Sequence, residues 1–217
     1  MCSARACVWD LSAIAAVLTA GVAYLRGTVE IEPGVFGHRS QQLFSWLQVR
    51  AKHNFTHPDA VENWIGELHG RVLEIGPGSG ISLPFYKWDS IEEYVGIEPN
   101  RFFWDTFQAR ARERGVPAAR VHLSSNVSLS GYADESFDAV VSLHVLCSVS
   151  HLKHQVSELE RVLRPNGTFV FFEHIEYWEE DTWIHYLQHA LNPLWRRIGE
   201  GCRLNRRTDK SSKRRNV

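Results

Sequence analysis

The sequence predicts an α/β protein whose parallel sheet is covered by helices on both faces. An apolar strand, residues 71–75, runs into a turn with the sequence Gly76-Pro77-Gly78-Ser79-Gly80. A second apolar strand, residues 94–97, ends at the carboxylate of Glu98. Apolar strands then alternate with amphipathic segments along the chain, which is the pattern of β-α units that build a parallel sheet.

The predicted elements follow one another in a regular order. Apolar residues at helical spacing between residues 43 and 68 predict amphipathic helices that lead into the domain. A charged helix over 102–114 ends at Gly115, and a helix over 154–163 is closed by the turn Arg164-Pro165-Asn166-Gly167. The predicted strands are Arg71–Ile75, Tyr94–Ile97, Val121–Ser124, Ala139–Leu143 and Thr168–Glu173, and Leu83–Trp88 is assigned to the helix after the first strand.

Charge is distributed unevenly along the 217 residues, which are enough for one domain of ordinary size. Residues 203–217 contain seven basic residues and one acidic residue, so this tail carries +6 and the rest of the chain −7. An acidic body argues against nucleic acid as the main partner. The basic tail is expected to be disordered.

The four cysteines are Cys2, Cys7, Cys147 and Cys202, and they form no CxxC pair and no regular spacing. Their spacing therefore predicts neither a disulfide framework nor a zinc site, and no metal is expected. Cys147 is interpreted as a buried small hydrophobic residue.

Residues 11–25 carry no charge. As a helix they would span about 22 Å, short of the roughly 20 apolar residues that cross a bilayer. Three interpretations stay open: a membrane anchor or monotopic insertion, a signal peptide, and a helix packed on the protein's own domain. We assign residues 1–28 to this apolar segment and residues 29–70 to a linker and the helices that lead into the domain.

The glycine-rich turn and Glu98 together suggest a site for an adenosine-containing cofactor. Glycines let the backbone approach the ligand closely, and a carboxylate at the end of the second strand accepts both ribose hydroxyls. The turn has the pattern Glu-x-Gly-Pro-Gly-Ser-Gly, which begins at Glu74, and differs from the Gly-x-Gly-x-x-Gly of nicotinamide and flavin enzymes.

Two further motifs follow in order: residues 133–138 lead into the fourth strand, and residues 161–167 precede the fifth. With the turn and Glu98, these motifs over residues 71–174 resemble the class I S-adenosylmethionine-dependent methyltransferases. The resemblance implies a Rossmann-like doubly wound sheet of strand order 3-2-1-4-5 and S-adenosylmethionine as the cofactor.

The resemblance also implies a role for each residue of the site. Glu74 suits the cationic methionine half of the cofactor, Glu98 the ribose, and the segment after strand three the adenine. There Asn126 can accept from the adenine amino group through its carbonyl oxygen. The implied cofactor-binding set is Glu74, Gly76, Pro77, Gly78, Gly80, Glu98, Asn126, Val127 and Leu143.

Four more stretches narrow the resemblance. They are similar to the methyltransferase-like 7 family, membrane-associated enzymes that methylate small alkyl thiols. The four stretches are residues 145–149, Glu173-His174, residues 191–195 and residues 201–204. This resemblance implies a cytosol-facing membrane, of the endoplasmic reticulum or of lipid droplets, contacted through the N-terminus. A cytoplasmic protein is the alternative.

The implied chemistry is direct methyl transfer to a small-molecule acceptor. A free thiol has a pKa near about 8.5, so thiolate is available near neutrality and little acid–base help is needed. His174 is the first candidate for a group near the acceptor and His144 the second. The alternatives are a methyltransferase for a lipid or quinone oxygen or carbon, and a non-catalytic protein that keeps the fold.

Family members continue for several tens of residues beyond the point that matches residues 201–204, and there they add two strands as an antiparallel hairpin. We therefore expect a five-stranded sheet that lacks this hairpin and leaves strand five as an exposed edge. We also expect impaired methyl transfer.

Overall fold

The computed structural model describes residues 38–50 and 58–207, so the predicted N-terminal apolar segment, residues 1–28, lies outside the described residues. Short 3₁₀ helices occupy Leu83–Phe85, Arg101–Phe103 and Ala118–Arg120. The α-helices are α1 His38–Arg50, α2 Asp59–Gly66, α3 Trp104–Glu113, α4 Leu152–Val162 and α5 Trp183–Ile198. Within these ranges no helix has both the length and the apolar character that a bilayer crossing needs.

Five parallel strands form one sheet in the order β3-β2-β1-β4-β5, which confirms the predicted fold. Ile75 at the end of β1 lies opposite Ile97 of β2 and Ser142 of β4, so the carboxyl ends of these strands share one edge. The strand order reverses between β1 and β4, where open α/β sheets bind their ligands. The strands are β1 Gly70–Ile75, β2 Ile91–Ile97, β3 Val121–Ser124, β4 Phe137–Leu143 and β5 Leu163–Phe172.

Both faces of the sheet are covered, which explains why its central strands are almost continuously apolar. Val72 of β1 joins the core on the face that also holds Ile65 of α2 and Phe107 of α3. Its neighbour Leu73 points to the opposite face and packs in the core with Leu159 of α4. Successive residues of a strand thus belong to different cores, as the period of two requires.

The prediction of a helix at Leu83–Trp88 is wrong, because the structure forms only the 3₁₀ turn Leu83–Phe85 there. Strand β2 begins at Ile91, three residues before the predicted start, which leaves few residues for a helix and its connection. Pro84 sits in the first turn, and the segment becomes extended at Tyr86.

Strand β5 begins at Leu163, five residues before the predicted start, because the predicted turn lies inside the strand as a bulge. The register jumps from Phe137 paired with Leu163 to Ala139 paired with Thr168. Asn166 adopts a left-handed conformation with φ 61°, which permits the chain to loop out and resume pairing.

Helix α5 was not predicted. The Thr182 hydroxyl caps its start by accepting the His185 N–H at 3.3 Å, while Asn192-Pro193, a typical break signal, lies inside the helix. Beyond α5 the chain stays packed for some residues of the predicted tail. Leu204 is buried, and Arg206 donates to the carbonyl oxygen of Leu146 at 2.7 Å.

Candidate cofactor and acceptor site

The turn after β1 is tightly packed on two sides and open on the third. Gly76, Gly78 and Gly80 have φ values of 61°, 54° and 79°, which side chains rarely adopt. A Cβ on Gly76 would lie 2.3 Å from Val145 Cγ2, and one on Gly80 would lie 2.7 Å from Leu83 Cδ1. A Cβ on Gly78 would meet no atom within 4 Å, so this glycine faces the space through which a ligand can approach the backbone.

Glu98 follows β2 and its carboxylate contacts this turn. Oε2 accepts the Gly78 N–H at 2.9 Å and Oε1 accepts the Asn100 N–H at 2.8 Å. The side chain is only 5% exposed, and this burial raises the pKa of Glu98 to about 7 against the opposing effect of the two N–H donors. A carboxylate offers about four acceptor positions, so two remain for a pair of ribose hydroxyls.

Glu74 lies behind the turn in the protein interior, with 1% of its surface exposed. Its Oε2 accepts three hydroxyl hydrogen bonds, from Tyr94 at 2.7 Å, Tyr86 at 2.8 Å and Ser82 at 3.0 Å. Burial raises the pKa of the Glu74 carboxyl, and these donors, Tyr94 foremost, oppose the rise. Glu74 therefore orders the segment after the turn, while its contact with the methionine half of the cofactor stays a prediction.

The predicted adenine segment follows β3 on the surface. Asn126 and Val127 are exposed, and the side-chain Oδ1 of Asn126 accepts the Ser128 N–H at 3.0 Å. This local turn uses part of the acceptor capacity that the sequence assigned to adenine, so the adenine contact stays a prediction. Leu143, the last residue of β4, is buried near the same edge of the sheet.

His144 and His174, the two residues predicted to lie near the methyl acceptor, are side by side with ring centroids 4.5 Å apart. They come from the exits of β4 and β5, which are adjacent strands. The next residue, Val145, packs against Gly76, so the histidine pair adjoins the glycine-rich turn. The tertiary structure thus brings the predicted cofactor turn and the predicted acceptor residues together.

Glu173 holds the loop that carries His144, a role that the sequence did not reveal. Its Oε1 accepts the Ser142 hydroxyl at 2.7 Å and the N–H groups of Val145 and Leu146 at 3.0 and 2.9 Å. Its Oε2 accepts the Cys147 N–H at 3.2 Å. Successive N–H groups around one carboxylate form an anion-binding nest that fixes the loop.

Asn100, two residues after Glu98, connects its own segment to two distant parts of the chain. Its Nδ2 donates to the carbonyl oxygen of Gln41 in α1 at 3.1 Å and to Glu200 Oε1 at 2.7 Å. Burial and the charge of nearby Glu98 raise the pKa of Glu200 to about 8. Only the sequence position of Asn100, two residues after Glu98, could have marked it as part of the site.

The comparisons with known proteins agree with this geometry. A family model described as a methyltransferase domain matches residues 73–171, which run from β1 through the glycine-rich turn to β5. Residues 73–171 therefore form a class I S-adenosylmethionine-dependent methyltransferase domain. The cofactor of this family is S-adenosylmethionine, and the open side of Gly78 with the remaining acceptor positions of Glu98 suits its nucleoside part.

Two relatives of this methyltransferase chain are named for the substrate they act on. It is 34% identical over 143 residues to the human thiol S-methyltransferase TMT1A, covering 66% of this chain and 58% of that protein. It is 33% identical over 137 residues to the rat thiol S-methyltransferase TMT1B, covering 63% of this chain and 55% of that protein. The chain thus spans little more than half the length of these relatives.

A solved structure agrees on the fold. The YcgJ protein of Bacillus subtilis aligns with a TM-score of 0.54 at 23% identity, over 81% of this chain and 66% of that one. At this identity the likeness concerns the fold alone.

Proposed function

We propose that this methyltransferase chain transfers the methyl group of S-adenosylmethionine to small thiols. The hydrogen bond from Gly78 to Glu98 carries the proposal, because it joins a ligand-accessible turn, at the point where the strand order reverses, to the carboxylate that we assign to the ribose. Similarity to two thiol S-methyltransferases supports a thiol as the acceptor.

Several residues would prepare the reaction. When bound, the cofactor supplies an electrophilic methyl group to a thiolate. Glu98 would orient the ribose, and Gly78 would let the backbone approach the cofactor. Leu143 and Val145 would contribute apolar surface that keeps water away, and His174 and His144 would lie beside the acceptor. Orientation and exclusion of water are then the main sources of rate, because a thiolate needs little acid–base assistance.

Turnover with labelled cofactor and a simple alkyl thiol tests this proposal. We expect the purified full chain to form the labelled methyl thioether, because a thiolate on an oriented sulfonium methyl needs no further catalyst. A hydroxylated lipid and a quinol, offered in parallel, should stay unlabelled. Label on either of these acceptors but not on the thiol would replace the thiol assignment. Cofactor binding without turnover on any acceptor would indicate a non-catalytic protein.

We also propose that the protein binds to the cytosol-facing surface of a membrane, either of the endoplasmic reticulum or of lipid droplets. Trp183, Tyr186, Leu187 and Leu194 are exposed and follow helical spacing along one side of α5, and Trp183 is 73% exposed. An exposed apolar stripe with Trp and Tyr suits the interfacial region of a bilayer. The uncharged residues 11–25 would add a second apolar contact.

Co-sedimentation with phosphatidylcholine vesicles tests the membrane proposal. The double substitution Trp183→Ser and Tyr186→Ser should lower binding of the full chain at least about tenfold, since burying one large apolar side chain contributes roughly 1.5–3 kcal/mol. Deletion of residues 1–28 should lower it as well. Trp64→Ser removes an exposed tryptophan from a different helix, α2, and should change little. Unchanged sedimentation of both the double variant and the deletion would contradict the proposal.

A further inference from the structure

Three potential metal ligands from distant parts of the chain meet beside the β4 exit loop. Cys147 lies in that loop, His174 follows β5, and Cys202 follows α5. The Sγ atoms of Cys147 and Cys202 are 3.2 Å apart, and His174 Nδ1 lies 3.6 Å and 3.5 Å from them. Both cysteines are buried and neither is in a disulfide.

These separations suit one ion with tetrahedral coordination. With Zn–S near 2.3 Å and Zn–N near 2.0–2.1 Å, tetrahedral angles place sulfur and nitrogen ligands about 3.6 Å apart and two sulfurs about 3.8 Å apart. The two sulfur–nitrogen distances already match, and the sulfurs need to separate by about 0.6 Å. Two thiolates and an imidazole select zinc rather than magnesium or calcium, because the latter two ions bind oxygen ligands.

The surrounding structure fixes the backbone of both cysteines. Glu173 accepts the Cys147 N–H, and the carbonyl oxygen of Cys147 accepts the Arg203 N–H at 3.2 Å. The Cys202 N–H donates to the carbonyl oxygen of Gly199 at 2.9 Å, which fixes the chain just after α5. Such neighbouring contacts orient ligands before the ion arrives and raise metal affinity.

We propose that Cys147, His174 and Cys202 bind one Zn²⁺ ion, with a water molecule or another exogenous ligand in the fourth position. Zinc sites with three protein ligands keep the fourth position open in this way. This inference goes beyond the proposed methyl transfer and does not depend on it. Ligation would commit His174 to the metal and leave His144 as the histidine next to the acceptor.

A second group, Glu176, His185 and His189, provides an internal comparison. The Glu176 Oε1 atom lies 3.3 Å from His185 Nε2 and 2.9 Å from His189 Nε2. Arg207 lies 3.4 Å from Glu176 Oε2, so a cation already neutralises this carboxylate. Without thiolates and with an arginine in contact, this group is the weaker metal site, and its substitution serves as a control.

Cobalt substitution in the full chain, kept reduced and free of metal beforehand, tests the zinc site. One equivalent of Co²⁺ should produce a thiolate-to-cobalt charge-transfer band in the near ultraviolet, and one equivalent of Zn²⁺ should remove it. Cys202→Ser should weaken metal binding more than about 100-fold, because loss of even an outer contact costs roughly 10- to 100-fold. His189→Ala should leave the spectrum and the affinity unchanged.

An alkylation experiment needs no substitution and covers the case in which Cys202→Ser does not fold. In the unmodified chain, Zn²⁺ should slow the alkylation of Cys147 and Cys202 by iodoacetamide relative to the metal-free chain, as peptide mass spectrometry reports. Three results would each overturn the proposal. The charge-transfer band could be absent, it could be unchanged in a folded Cys202→Ser variant, or the alkylation rate could be the same with and without zinc. A Cys147–Cys202 disulfide that persists under reduction would overturn it as well.

Discussion

Glu98→Ala should lower the affinity for S-adenosylmethionine by at least about 100-fold without unfolding the protein. Each hydrogen bond between a charged carboxylate and a hydroxyl contributes about 1.5–3 kcal/mol, and this substitution removes two that we assign to the ribose. The sheet should persist, because Glu98 follows β2 and its carboxylate accepts the backbone N–H groups of Gly78 and Asn100 rather than packing in the apolar core. Calorimetric titration with the cofactor measures the effect.

Glu92→Ala is the matched control, because Glu92 is an exposed acid on the same strand and should have no effect on binding. An unchanged affinity in a folded Glu98→Ala variant would remove the basis of the proposed cofactor site. A lost affinity in the Glu92 variant as well would indicate a general electrostatic effect.

The pH dependence of binding gives a further check on Glu98. The pKa of about 7 leaves the carboxyl mostly neutral at pH 6 and mostly ionised at pH 8, and only the ionised form accepts two hydroxyls. Cofactor affinity should therefore rise about tenfold between these values and should stay flat in Glu98→Gln. Stability should change in the opposite direction. A raised carboxyl pKa stabilises the fold at low pH, and this contribution is lost as the pH rises through about 7.

Glu74→Ala should lower the free energy of unfolding by about 3 kcal/mol or more. The substitution leaves the hydroxyls of Ser82, Tyr86 and Tyr94 without their shared acceptor, and each buried unsatisfied polar group costs about 1–3 kcal/mol. Urea denaturation followed by far-ultraviolet circular dichroism measures the change.

Two further variants separate the structural role of Glu74 from a cofactor contact. Glu74→Gln keeps an acceptor oxygen and should lose less stability than alanine. Tyr86→Phe removes one donor and should cost about 1 kcal/mol. A stable Glu74→Gln variant that loses the cofactor would support the predicted contact with the methionine half. Wild-type stability in Glu74→Ala would contradict the hydroxyl network.

Local patterns in the sequence were sufficient for the parts of the fold that depend on residues close together in the chain. Strand β3 has the predicted limits, Val121–Ser124, because a short apolar strand between turn signals has few competing structures. The glycines of the turn and Glu98 were recognisable because backbone conformation and strand ends are local properties. The strand order followed from the family resemblance, and the structure confirms it.

Only the tertiary structure decided what depends on contacts between distant segments. It gave the acid at position 74 three hydroxyl partners, which no spacing rule connects to that strand. It joined Gln41, Asn100 and Glu200 next to Glu98. It also gathered Cys147, His174 and Cys202, although the cysteine spacing predicted no metal site. Sequence periodicity reports which face of one element is buried, whereas a site made from several chain segments exists only after those elements pack against one another.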